Sequence, residues 1–90
     1  MESRAMRDYQ QVLEYVTESW VRVLKKNVSP ADDFFDMGGD SMTAIRMINE
    51  VQKTYDVEID LEKFFSEPSA AKLAHTIVDM RTMVAGHEQK

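Results

Sequence analysis

The chain has no cysteine among its 90 residues. That single absence removes disulfide staples, thiolate zinc sites and a cysteine nucleophile together. Histidine is nearly as scarce, with His75 and His87 alone, so a histidine-rich metal site is excluded as well. No metal ligand set is assigned. Apolar runs never approach the roughly 18–20 residues that a membrane helix needs, and the opening MESRAMRDYQ lacks the apolar core of a signal peptide. Glycine and proline are few, 3 and 2, which rules out a collagen-like or loop-dominated chain. A shortage of positive charge, 11 Lys and Arg against 16 Asp and Glu, argues against binding to nucleic acid. The expectation is a soluble cytoplasmic monomer with neither nucleic acid nor membrane as a partner.

What remains is 43% apolar and 30% charged, a mixture that folds. A chain of this length buries only about 60–65% of its unfolded surface, so its core is thin and a walled enzyme pocket does not fit. The charge is uneven. Residues 27–69 hold 10 acidic and 3 basic side chains, whereas the flanking segments are close to balanced. This field is either an ordinary solvated surface or a face that meets basic partners.

Periodicity predicts helices. Met6, Tyr9, Leu13, Val16, Trp20 and Val23 recur every three or four residues, which predicts an amphipathic helix over about 6–25, with Trp20 as a core anchor. Residues 27–40, NVSPADDFFDMGGD, break that pattern. Apolar Phe34, Phe35 and Met37 sit inside this polar stretch, so the loop is expected to be pinned to the core with at least one phenylalanine buried. A second helix is predicted over 41–55, with Ala44, Met47, Ile48, Val51 and Tyr55 on its core face. Met42 and Ile45 fall off that face. Either a central helix buries two sides, or these are scattered surface apolars without a role, or the two form a docking patch, a use to which methionine is suited. Asp56 is expected to end this helix in the left-handed region. Asp60 is expected to cap a short helix over 61–65, and Ser69 a last helix over about 70–84 with Ala70, Leu73, Ala74, Ile77 and Val84 at helical spacing. His75 lies beside the last core stripe and reads as a surface residue. The sum is all-α: a small four-helix bundle of three long helices and one short, with a long ordered loop between the first two. The ends, about 1–5 and 85–90, are expected to fray.

Chemistry concentrates at Gly38-Gly39-Asp40-Ser41-Met42. Two glycines free the backbone and let another protein approach closely. Ser41 then stands at a helix start, where a phosphate ester is favoured by about 0.3–1 kcal/mol. The plain alternative is capping by Asp40 or Ser41 alone. A self-contained serine hydrolase is excluded. The elbow G-x-S-x-G has Thr43 where its second glycine belongs, and no histidine lies near Ser41 in sequence.

The run DDFFDMGGDSMTAIRMINEVQKTYDVEIDLEKFFSEPSAAKLA, residues 32–74, resembles a peptidyl carrier protein, the thiolation domain of nonribosomal peptide synthetases. The Trp20 helix matches in position, so the likeness takes in one carrier domain over 1–90. The resemblance implies a non-catalytic carrier bearing 4′-phosphopantetheine on Ser41. A phosphopantetheinyl transferase would install the group, an adenylation enzyme would load its thiol, and condensation or tailoring enzymes would take the cargo. It also implies partner contacts at Asp40, Met42, Ile45 and Arg46, extended by Phe64 or Phe65, of which Phe64 is the choice. Phe35, Ala44, Ile48, Val51 and Leu73 are implied to be structural. Met37, Asp56, Asp60 and Ser69 depart from the residues usual in the family, none at the attachment point. The rival readings are an acyl carrier protein of polyketide or fatty-acid synthesis, and a helical interaction module that is never modified. A free-standing protein is expected.

Overall fold

The computed structural model describes residues 4–88 of the backbone, with side chains described from Asp8 to Arg81. Four helices follow one another: α1 (Arg4–Leu24), α2 (Ser41–Tyr55), α3 (Leu61–Ser66) and α4 (Ala70–Glu88). Among the described residues there is no strand, and one isolated antiparallel bridge joins Asp33 to Ser69. The all-α bundle with a long first loop is therefore present. α1 starts two residues before the expected helix, and α4 runs four beyond its expected end. Residues 4–5 and 85–88, expected to fray, have helical backbone; 1–3 and 89–90 lie outside the described residues.

α1 packs chiefly on α4 and secondarily on α2. Its buried face is Val12, Val16, Ser19 and Trp20, while Tyr9, Leu13 and Val23 are only partly covered. Val12, Val16 and Trp20 belong to the apolar stripe that the spacing predicts, which Val12 and Leu24 widen, and small Ser19 is buried at its edge. Met6 and Val84, both counted into stripes, lie outside the described side chains. α2 buries Ala44, Met47, Ile48 and Val51 as expected. α4 contributes Ala70, Leu73, Ala74, Ile77 and Val78.

The caps set the boundaries. Asp40 is the N-cap of α2, its carboxylate accepting the Thr43 N–H at 2.8 Å. Asp56 ends α2 with φ 55° and ψ 51°. Asp60 caps α3 by accepting the Glu62 N–H at 3.0 Å, and the Ser69 hydroxyl accepts the Lys72 N–H at 3.2 Å at the head of α4. Each satisfies a first-turn donor or last-turn acceptor that the helix itself leaves open.

Trp20 is the hub of the core. It is fully buried, and its indole N–H donates to the Met47 sulfur at 3.3 Å. Its ring meets Phe34 edge-on at 4.9 Å and Phe64 edge-on at 6.1 Å. Such aromatic pairs add about 0.5–1.5 kcal/mol each beyond the area they bury. At the far end of α2, Tyr55 packs edge-on against Tyr15 at 5.4 Å, and the Tyr15 hydroxyl bonds the Thr54 hydroxyl at 2.9 Å. Burial holds the Tyr55 phenol above its ordinary value, with Tyr15 adding to the rise and Arg81 opposing it.

Candidate functional site

The loop between α1 and α2 is held along its length. The Asp33 carboxylate accepts N–H bonds from Phe35 at 2.8 Å and Asp36 at 3.0 Å, which folds the chain back on itself. Backbone bonds from Met37 to Asp33, Gly38 to Phe35 and Gly39 to Phe34 complete the turn. Two further bonds stitch the loop to the α3–α4 junction: Phe34 N–H to Pro68 carbonyl at 2.7 Å, and Ala71 N–H to Pro30 carbonyl at 2.9 Å. The phenylalanine that docks fully is Phe34, with no exposed surface; Phe35, one of the positions implied to be structural, is partly buried and packs against the core.

This stitched loop delivers Ser41. Gly38 turns the chain with φ +104°, a region closed to most side chains. Gly39 follows against the core, Asp40 caps, and Ser41 is the first residue of α2 with its side chain exposed. Among the described residues no hydrogen bond ties down the Ser41 hydroxyl. The oxygen is open to a second protein. Asp40 beside it is fully exposed, and its carboxyl is held below the ordinary 3.8, first by the Thr43 backbone N–H, then by the Thr43 side chain, with Arg46 a smaller contributor.

Chemically, a single exposed hydroxyl at the positive end of a 15-residue helix suits a phosphate ester. The Asp40 carboxylate opposes a second anion nearby. Arg46 offsets it in part, its charge favouring the ionised Asp40 carboxylate. The residues present therefore fit a phosphodiester. Among the described residues no group of three or more His, Cys, Asp or Glu is placed to hold a metal ion.

Around Ser41 the sequence-expected residues divide. Met42 is 67% exposed and Ile45 40%, both clear of the core face of α2, and Arg46 is exposed beside them. Phe64 is corrected: it is 4% exposed, wedged against Trp20 and Phe34, and presents no surface. Phe65, at 38%, is the exposed member of the pair, stacked on Phe35 at 5.7 Å. Leu61, 36% exposed on α3, was not anticipated. A six-residue helix has too few turns to define a stripe, so neither Phe64 nor Leu61 was assignable from spacing.

The family described as "Phosphopantetheine attachment site" matches residues 14–77. The chain belongs to that family. The carrier domain is 40% identical over 65 residues to gramicidin S synthase 2 of Brevibacillus brevis, covering 71% of this chain and 2% of that protein. It is 41% identical over 64 residues to the nonribosomal peptide synthetase ecdA of Aspergillus rugulosus, 67% of this chain and 1% of that one. L-2-aminoadipate reductase of Schizosaccharomyces pombe is 35% identical over 69 residues, 74% and 5%. The chain thus spans a few hundredths of the length of these relatives. Among solved structures, the phosphopantetheine transferase Sfp in complex with coenzyme A and a peptidyl carrier protein includes a chain that matches at a TM-score of 0.72. Identity is 30%, with 76% of this chain and 90% of that one covered. The solution structure of an active-site mutant peptidyl carrier protein also matches at 0.72 and 30% identity, covering 77% and 78%. The all-α bundle is that of a peptidyl carrier protein, and the domain is a non-catalytic bearer of phosphopantetheine.

Proposed function

We propose that Ser41 is the residue to which 4′-phosphopantetheine is attached, and that the carrier holds aminoacyl or peptidyl groups for nonribosomal peptide assembly. The observation that carries this reading is the exposed hydroxyl at the first position of α2, delivered by a loop stitched to the core. In the transfer, the Ser41 oxygen attacks the coenzyme A phosphorus that bears the pantetheine arm. An O–P bond forms as the bond to the second phosphate breaks. Adenosine bisphosphate leaves, and the serine proton passes to a base of the transferase. When bound, the group supplies a terminal thiol, and so the thioester chemistry that a cysteine-free chain lacks.

The chain's own part is presentation. α2 favours the phosphate near its N-terminus, Asp40 fixes the helix start, and the loop fixes the approach. Met42 and Ile45, with Arg46 at their border and Phe65 rather than Phe64 on α3, form the face that partner enzymes meet. Asp40 stands at its edge. The partners are a phosphopantetheinyl transferase, an adenylation enzyme, and condensation or tailoring enzymes, in the cytoplasm where the coenzyme A donor is.

The test is intact mass after incubation with coenzyme A and a broad-specificity transferase. One phosphopantetheine adds to the wild type and none to Ser41→Ala; addition to that variant refutes the assignment. Subsequent loading by an aminoacyl-adenylating enzyme, and not by an acyltransferase, separates the peptidyl from the acyl carrier reading.

A further inference from the structure

We propose that Phe34 is a positioning residue for the modification of Ser41, acting through Gly39. The inference rests on the reading of Ser41 as the attachment point.

A Cβ built on Gly39 falls within 3.0 Å of three carbons of the Phe34 ring, Cδ2, Cε2 and Cζ. Real Cβ atoms do not approach so closely, so the ring occupies the space that any other residue at 39 needs. Gly39 is required here for room, whereas Gly38 next to it is required for its positive φ. The ring has no freedom to withdraw. It is fully buried, crossed edge-on by Trp20 at 4.9 Å and flanked by Phe64 at 6.1 Å. Its backbone is fixed on both sides: the Phe34 N–H donates to the Pro68 carbonyl at 2.7 Å, and the Phe34 carbonyl accepts the Gly39 N–H at 3.1 Å. Core interiors transmit such strain because they are close-packed.

The consequence falls on the hydroxyl. Ser41 is two residues beyond Gly39, so at most about 7 Å of chain separates the contact from the reacting residue. The bare α-carbon of Gly39 resting on the Phe34 ring sets one spacing between core and loop. That spacing decides where the Asp40-capped start of α2, and with it the Ser41 oxygen, stands relative to the core. The transferase must meet that oxygen in line with a phosphorus atom, and a misplacement of about 1 Å in such a geometry costs up to about a hundredfold in rate. Phe34 touches neither coenzyme A nor the hydroxyl; its influence passes entirely through residue 39.

The experiment measures kcat/KM for transferase-catalysed modification of the apo chain by intact mass, at a low temperature where circular dichroism shows every variant helical. Gly39→Ala lowers kcat/KM by at least about tenfold. Phe34→Leu, which removes the ring, lowers it by about threefold to fivefold through looser placement. The double variant Gly39→Ala with Phe34→Leu recovers to the level of Phe34→Leu alone, although it carries two changes. A merely structural role makes the double variant the slowest of the set, and that order overturns the proposal, as does wild-type kcat/KM in Gly39→Ala. Should Gly39→Ala fail to fold, Phe34→Leu is compared with Val16→Ala, an equally buried side chain of α1. The first slows modification and the second does not; equal rates overturn the proposal. Ser41→Ala runs in parallel. Loss of modification there, with unchanged rates elsewhere, refutes the role of Phe34 alone, while persistence refutes the attachment site.

Discussion

Met42 and Met47 offer a sharp comparison, because the same residue type lies on opposite faces of α2. Met47 is 1% exposed and its sulfur accepts the Trp20 indole N–H. Truncating a buried methionine to alanine costs about 2–5 kcal/mol. Leaving a buried donor without its acceptor adds about 1–3 kcal/mol in general, and the lower end applies here because thioether sulfur accepts weakly. A domain of this size has roughly 5–13 kcal/mol in hand, so Met47→Ala removes a large share. Each kcal/mol moves Tm by about 4–8 °C in so small a domain, which places the loss above about 10 °C. Trp20 is the only tryptophan, so its emission reports the same site and shifts with the variant. Met42→Ala does the reverse. Its surroundings on the isolated domain are mostly water, so stability changes by no more than about 0.5 kcal/mol. If the side chain is buried against an adenylation enzyme, about 1–2 kcal/mol of apolar burial is lost. That slows aminoacyl transfer by about fivefold to thirtyfold. Thermal melts and loading rates are measured on both. A Met42→Ala melt as low as that of Met47→Ala refutes the division of faces, and an unchanged loading rate refutes the docking role.

The phenylalanine pair of α3 repeats the contrast: Phe64→Ala costs about 3–5 kcal/mol, whereas Phe65→Ala costs about 1 kcal/mol and slows partner transfer. Equal melts for the two refute the assignment of Phe65 to the surface. The pH response follows from two groups. A carboxyl held below its ordinary 3.8, as at Asp40, contributes stability above that value and loses it as pH falls through the folded-state value. The Tm gap between wild type and Asp40→Ala is therefore full at neutral pH and closes in acid; a gap that survives in strong acid refutes the cap. Tyr55 has the opposite sign. Its phenol is held above 10.0, so its contribution is complete below that pH and is lost as pH rises through the folded value. Tyr55→Phe flattens the alkaline limb of the melt.

Legibility in the sequence tracked the density of local signals. α2 was readable to the residue because Asp40 and Asp56 are both capping residues and the apolar spacing between them is regular. The three-helix-plus-short-helix plan followed from the same kind of marker at Asp60 and Ser69. α4 runs past its expected end because residues 85–90 are read from the sequence as a fraying tail, while the helix continues to Glu88. Adjacent aromatics conceal their orientation at two places. In FFDM and FFSE, neighbouring side chains point different ways, and only the Trp20 ring decides that Phe34 and Phe64 turn inward. The dependence of Gly39 on the Phe34 ring was invisible for a related reason: the contact requires the loop to fold back through the Asp33 turn, which no periodicity encodes.

The proposed docking face is small, and its size is itself informative. Met42, Ile45, Leu61 and Phe65 are each only partly exposed, so together they offer a patch of a few hundred Å² at most. A stable complex buries about 1,200–2,000 Å². The remainder must come from charged and polar surface, which in residues 27–69 is strongly acidic. Charge of one sign raises association rates more than it deepens affinity. Such a surface gives fast arrival and short residence. A carrier that hands one acyl group from enzyme to enzyme needs both properties, because a tight complex with any one partner would hold the cargo where it was loaded. Enlarging the apolar patch, for example with leucine at Asn49 beside Ile45, should therefore slow release from the first partner and lower overall flux even as binding tightens.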